Sequence, residues 1–182
     1  MLHLSIDCGT QNLAFCVWDD TTNTLVDWRV CTVAPRRCNV SVAVKGVVQW
    51  VSDVSAKHKG ITKVYIEQQP VANTRMKCLS HAIQACAMCT MPQAVVDFVS
   101  PKRTHTALGL CSGQQRRSYS MRKQQAVSTA HKVLESMVAL RGPHDDTWRQ
   151  WVAYFNSVAK QDDLADCFLQ CVVAAGAYPL CA

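Results

Sequence analysis

Leu2-His3-Leu4-Ser5-Ile6-Asp7 and Leu13-Ala14-Phe15-Cys16-Val17-Trp18, with a third run from Thr24 to Thr32, are strand-like stretches separated by two short turn-rich segments, Gly9-Thr10-Gln11-Asn12 and Asp19-Asp20-Thr21-Thr22-Asn23. Apolar runs joined by such short links read as an antiparallel meander. Val44, Val47, Val48, Val51 and Val54 recur at helical spacing between Ser41 and Lys57 and predict a helix that covers the sheet. Thr62 to Glu67 reads as a short buried strand, Ala72 to Thr90 as a helix, and Gln93 to Val99 as a strand that ends at Ser100-Pro101. The order is βββαβαβ. Past Pro101 the residues around Gly109, Ser112 and Gly113 read as a loop. A helix follows from about Tyr119 to Leu140, broken by Arg141-Gly142-Pro143-His144. Helices over Asp146 to Val158 and Asp162 to Ala175 complete the chain. No repeat or low-complexity linker divides it, so residues 1–182 are expected to form one α/β domain.

Composition narrows the class. The chain has 182 residues, 49% of them hydrophobic, with a mean hydropathy of -0.01, which suits a packed core and excludes a disordered tail or a fibrous repeat. The longest apolar stretch, Ala165 to Pro179, is interrupted by Asp166 and Gln170 and falls short of the roughly 20 residues of a membrane span. The start of the chain lacks the pattern of a secretory signal, so an intracellular protein is expected and its eleven cysteines are read as thiols. Cys78, His81, Cys86 and Cys89 form the best metal-like cluster, but no second CxxC follows, and Cys86 and Cys89 are read as core residues on one helix face. Net charge is +6. From Phe98 to Leu134 the chain carries Lys102, Arg103, Arg116, Arg117, Arg122, Lys123 and Lys132 with no acidic residue. That segment reads either as a footprint for phosphate or as a solvated face.

Acidic residues are scarce, and their places are informative. Asp7 ends the first strand and precedes Gly9, whose missing side chain permits a close turn. Glu67 ends the fourth strand, where a charge after a buried run must be solvated, paired or bound to metal. Asp163 and Asp166 share a helix face, with Asp162 near the same face. Each acid alone has a plain reading: a turn residue, a surface acid, a helix cap or a first-turn acid. If strands one and four are neighbours, however, Asp7 and Glu67 meet at adjacent strand ends and the last helix can bring Asp163 and Asp166 across from them. Four hard oxygen donors converging there would suit Mg²⁺ or Mn²⁺ rather than zinc.

The segments Ile6-Asp7-Cys8-Gly9-Thr10-Gln11-Asn12, Ile66-Glu67-Gln68-Gln69-Pro70, Val99-Ser100-Pro101, Ser118-Tyr119 with Arg122-Lys123, and Lys160-Gln161-Asp162-Asp163-Leu164-Ala165-Asp166 together resemble the RuvC-like Holliday junction resolvases of the RNase H superfamily, most closely the poxvirus-type viral resolvases. The resemblance implies an RNase H-like fold: a mixed five-stranded sheet, three antiparallel strands then two parallel, flanked by helices. It implies that Asp7, Glu67, Asp163 and Asp166 are catalytic metal ligands for two Mg²⁺ ions, with Mn²⁺ able to substitute, and that Lys123 is an active-site lysine. Lys102 is the other candidate for that lysine and His105 a weaker one, because the basic loop from Lys102 to Arg117 is longer than in poxvirus members. The implied activity is resolution of four-way DNA junctions by paired nicks. Lys102, Arg103, Arg116, Arg117, Arg122 and Lys123 would contact DNA.

A homodimer is expected from the two-fold symmetry of the junction, with the helix from Ala72 to Thr90 as candidate interface. Neither a membrane nor a nucleotide cofactor is expected. The implied location is a viral replication site in the host cytoplasm, or a nucleus or organelle for another source. An actin-like kinase, suggested by Asp7-Cys8-Gly9-Thr10-Gln11, would need a second lobe and a second phosphate loop that this length does not supply. A nuclease acting on other branched DNA or on RNA:DNA hybrids, and a non-catalytic nucleic-acid binder, are the remaining alternatives. Trp148 and Trp151 are read as core rather than as surfaces for stacking bases.

Overall fold

The computed structural model describes residues 1–109, 118–142 and 145–177. Its strands are β1 (Leu2–Asp7), β2 (Leu13–Asp19), β3 (Thr24–Cys31), β4 (Ile61–Glu67) and β5 (Val95–Val99). Its helices are α1 (Val40–Lys57), α2 (Thr74–Thr90), α3 (Pro101–Ala107), α4 (Tyr119–Arg141), α5 (Asp146–Ser157) and α6 (Gln161–Ala174). The sheet order is β3-β2-β1-β4-β5. β1 to β3 form the antiparallel meander, while β4 pairs parallel with β1 and β5 parallel with β4. The expected mixed sheet, three antiparallel strands then two parallel, is the one observed.

Side-chain alternation along the strands explains the layering. On β2, Leu13, Phe15 and Val17 face one side with Leu4 and Ile6 of β1, and bury against Val47, Val51 and Val54 of α1 and Leu79 and Ile83 of α2. Ala14, Cys16 and Trp18 face the other side, where α4, α5 and α6 cover them. Here Trp28 of β3 stacks on Phe155 of α5 with ring centroids 5.1 Å apart, and its indole Nε1 donates to the Leu164 carbonyl of α6 at 3.1 Å. Trp148 is fully buried and Trp151 donates from Nε1 to the Leu25 carbonyl at 3.0 Å, so both are part of the core. Helix starts are marked by Asn39, Asn73, Ser118 and Asp145, each accepting a backbone N–H from the first turn of α1, α2, α4 or α5.

Two readings change. The segment after Pro101, expected to be a loop, begins with α3: Pro101 stands at the first helical position, where its fixed φ and missing N–H fit a helix start. Cys89 is exposed and Cys86 half-buried, because α2 turns Leu79, Ser80, Ile83 and Ala87 inward instead. On the helix suggested for self-association, Leu79, Ser80, Ile83 and Ala87 belong to the core, while Cys78, Ala85, Met88 and Cys89 are exposed. All nine described cysteines are free thiols; Cys111 and Cys181 lie outside the described residues. Among the described residues no helix is long and apolar enough to cross a membrane.

Candidate active site

The β1/β4 pairing places Ile6 opposite Ile66, so Asp7 and Glu67 follow at the carboxyl ends of adjacent parallel strands. In each strand the apolar neighbour points toward α1 and α2, and the acid toward the opposite face, which α6 covers. Ser5 and Asp7 on β1, with Tyr65 and Glu67 on β4, therefore make a polar stripe on an otherwise apolar face. Asp163, Asp166 and Gln170, spaced by three and four residues, lie on one side of α6 and meet it. All four predicted acids line one open pocket of about 620 Å³.

The turn after β1 forms one rim of this pocket, through Gly9, Thr10, Gln11 and Asn12. Gly9 is required by space: a Cβ there would stand 2.6 Å from the Asn12 carbonyl oxygen. The turn is held to the exit of β3, where Val33 and Ala34 donate their N–H groups to the Thr10 carbonyl and the Gln11 amide donates to the Ala34 carbonyl at 2.7 Å. The opposite rim is Pro101, Thr104 and His105 of α3 with Arg122 and Lys123 of α4.

Electrostatics distinguish the acids. Asp7 is held well above the ordinary carboxyl range, first by its enclosure in protein, then by the Glu67 charge and a hydrogen bond to Glu67, with Asp166 and Asp163 adding in the same sense. Burial, then Glu67, pushes Asp166 up to about 7 against the opposing pull of Lys123. Asp163 is raised by burial and by its neighbour Asp162. Asp162 goes the other way: burial opposes its ionisation, but its ion pair with Lys123 outweighs that and lowers it. Lys123 Nζ also lies 3.9 Å from Asp163 Oδ1. His105 is lowered by burial and by the nearby Arg122.

Among the described residues no three His, Cys, Asp or Glu side chains are already closed into a cation cage, either here or around Cys78, His81, Cys86 and Cys89. The pocket acids do fit a hard divalent cation in chemistry: all are oxygen donors, they approach from two sides of an open space, and they are short of positive charge.

Of the predicted residues, Asp7, Glu67, Asp163, Asp166, Lys123 and Arg122 are brought together around the pocket. Lys102 and Arg103 are exposed on α3 and do not line it, so Lys102 is set apart from the acids. Arg116 and Arg117 lie outside the described residues. Gln170 was not foreseen as a pocket residue. Its signal was a lone amide in the buried run from Leu164 to Val172, four residues after Asp166.

No protein-family model matches the chain, and no curated protein matches it in sequence. Solved structures do resemble it. The RuvC of T. thermophilus in complex with a Holliday junction substrate aligns with a TM-score of 0.60 at 15% identity, covering 97% of this chain and 96% of that one. A second Thermus thermophilus RuvC structure gives 0.59 at 14% identity, covering 97% of each chain. The yeast mitochondrial Holliday junction resolvase gives 0.66 at 16% identity, covering 96% of this chain and 77% of that one. The fold is therefore the RuvC-like form of the RNase H fold.

Proposed function

We propose that this chain is a metal-dependent endonuclease that cuts four-way DNA junctions. The observation that carries the reading is the meeting of Asp7 and Glu67, on adjacent parallel strand ends, with Asp163 and Asp166 across one open pocket. The similarity of the fold to two Holliday junction resolvases supports the choice of substrate. In this reading Asp7, Glu67, Asp163 and Asp166 hold Mg²⁺, in two sites per pocket, and Mn²⁺ can replace it. Bound ions of this kind activate water and stabilise the leaving oxygen in phosphodiester hydrolysis.

The chain's own residues do the rest. Asp7, beside Glu67 and facing the α6 pair, would hold the metal together with them. Its raised proton affinity, with that of Asp166, means that protons leave as cations enter. Lys123, on the facing rim, offers a positive charge to the phosphate during cleavage, an electrostatic aid already in place before reaction. Arg122 on the same rim contacts a neighbouring phosphate. Lys102 and Arg103, outside the pocket, would contact the DNA arms, and Arg116 and Arg117 are proposed for the same contact on their sequence alone. Such contacts neutralise phosphates, so binding weakens steeply with salt.

Junction symmetry calls for two such chains acting as a homodimer, each making one nick. Affiliation with the poxvirus-type viral resolvases, and action at an intracellular replication site, are the finer parts of the proposal. It is tested by incubating the chain with a labelled four-way junction, a linear duplex and an RNA:DNA hybrid, in Mg²⁺, Mn²⁺ or EDTA, beside Asp163→Asn. Symmetric nicks in the junction alone, lost in EDTA and in the variant, are expected. Cleavage of the hybrid alone would move the chain to the ribonuclease H reading, and binding without cleavage to a binding module.

A further inference from the structure

The buried amide of Gln170 ties together the three elements that carry the pocket acids. Gln170 is 4% exposed and lies on the Asp163/Asp166 face of α6. Its Nε2 donates to Ser5 Oγ of β1 at 3.0 Å and to the Tyr65 carbonyl of β4 at 3.3 Å. The carbonyl can only accept, so the NH₂ group must face it, and each of its two hydrogens finds a separate strand.

The positions of those partners matter. Ser5 and Tyr65 are direct register partners in the β1/β4 ladder. Asp7 is two residues after Ser5 and Glu67 two residues after Tyr65, on the same face of the sheet. Gln170 therefore spans one rung of the ladder while Asp166 and Asp163, one and two turns nearer the start of α6, face the next acids on that side. One turn beyond, the Tyr65 hydroxyl donates to the Ala174 carbonyl at 3.3 Å, a second tie of α6 to β4. Apart from the bond from the Trp28 indole of β3 to the Leu164 carbonyl, the rest of the α6 contact with the sheet is apolar: Leu164, Cys167, Phe168 and Cys171 bury among Ala14, Cys16, Trp18 and Trp28. Apolar packing holds a helix against a sheet but is tolerant of small slides along it, whereas a two-pronged hydrogen bond has a fixed length and direction.

We infer that Gln170 is the positioning residue that sets how α6 sits over β1 and β4, and so fixes the spacing between the Asp7/Glu67 pair and the Asp163/Asp166 pair. This rests on the reading of those acids as cation ligands. Removing a group that orients metal ligands from outside costs about 10- to 100-fold in metal affinity or activity.

The experiment titrates the DNA-free chain with Mn²⁺ by calorimetry, for the unsubstituted protein, Gln170→Leu, Ser5→Ala and Asp7→Asn, with circular dichroism and thermal melting on each. Gln170→Leu keeps the volume and removes both donors. It is expected to weaken Mn²⁺ binding about tenfold or more with native helix content, and to recover junction cleavage when Mn²⁺ is raised. Ser5→Ala removes one of the two prongs and should show a smaller loss in the same direction, which decides the matter should Gln170→Leu fail to fold. Equal Mn²⁺ affinity in the unsubstituted chain and in the folded variants, with only a lower melting temperature, would make Gln170 purely structural and overturn the inference alone. Absence of Mn²⁺ binding in the unsubstituted chain, matching Asp7→Asn, would overturn the nuclease reading and this inference with it.

Discussion

Replacing Asp166 with asparagine should stabilise the protein in EDTA while destroying its proposed activity. Asp166 titrates at about 7 in the folded chain against an ordinary 3.8, because burial and the Glu67 charge oppose its ionisation. A carboxyl whose folded value is raised contributes stability that is complete below the unfolded value, near pH 4, and that is lost as the pH rises through about 7. The difference between 3.8 and 7 corresponds to a ceiling of about 4 kcal/mol of stability given up by pH 8. Asparagine keeps the shape without the charge, so it should return about half of that ceiling, or roughly 4–8 °C in melting temperature for a domain of this length. The assay is thermal melting of both proteins in EDTA from pH 4 to pH 8, repeated at pH 8 with Mg²⁺. The advantage of Asp166→Asn should be widest at pH 8 and close near pH 4. Mg²⁺ should raise the melting temperature of the unsubstituted chain more than that of the variant. An Asp166→Asn protein that melts at or below the unsubstituted chain at pH 8 in EDTA would refute the assignment of a strained, charge-deficient acid cluster.

Three further outcomes follow from the same geometry. Because a metal ion must displace the proton of Asp166, Mn²⁺ affinity measured by calorimetry should rise about tenfold between pH 6 and pH 8, with proton release on binding at pH 6; a flat profile would contradict it. Lys123→Ala should lower the rate of junction cleavage by about 100-fold or more with junction binding changed far less, read by single-turnover kinetics beside a binding titration. Gly9→Ala forces a Cβ to within 2.6 Å of the Asn12 carbonyl, so denaturant unfolding should show a loss of about 1–3 kcal/mol, with no loss expected from an alanine at the exposed Lys102.

Much of this arrangement was legible in the residues. Short turn-rich links disclosed the meander, and the position of Asp7 and Glu67 directly after apolar runs disclosed that both end strands. What the sequence left conditional was the adjacency of β1 and β4, which is a matter of topology and which no local pattern states. α3 was missed because proline reads equally as the end of a strand and as the first residue of a helix, and Ser100-Pro101 serves as both. Helical spacing put Cys86 and Cys89 on one side of α2 but did not say which side meets α1; the larger Leu79 and Ile83 took that place. In the sequence Asp162 is one more acid beside Asp163, and only packing reveals that it pairs with Lys123 from α4. Gln170 interrupts an apolar run. A polar residue amid Leu164 to Val172 has to find partners when buried, and here those partners are 165 and 105 residues away along the chain.

The four acids belong to β1, β4 and α6, and the ribosome therefore delivers them far apart in time. A growing chain that has folded its meander and added β4 holds two of the four acids at uncovered strand ends, with nothing to face them until α6 arrives and docks. If the proposed function holds, such a chain has no activity until its fold closes, and a product truncated before α6 would be inert.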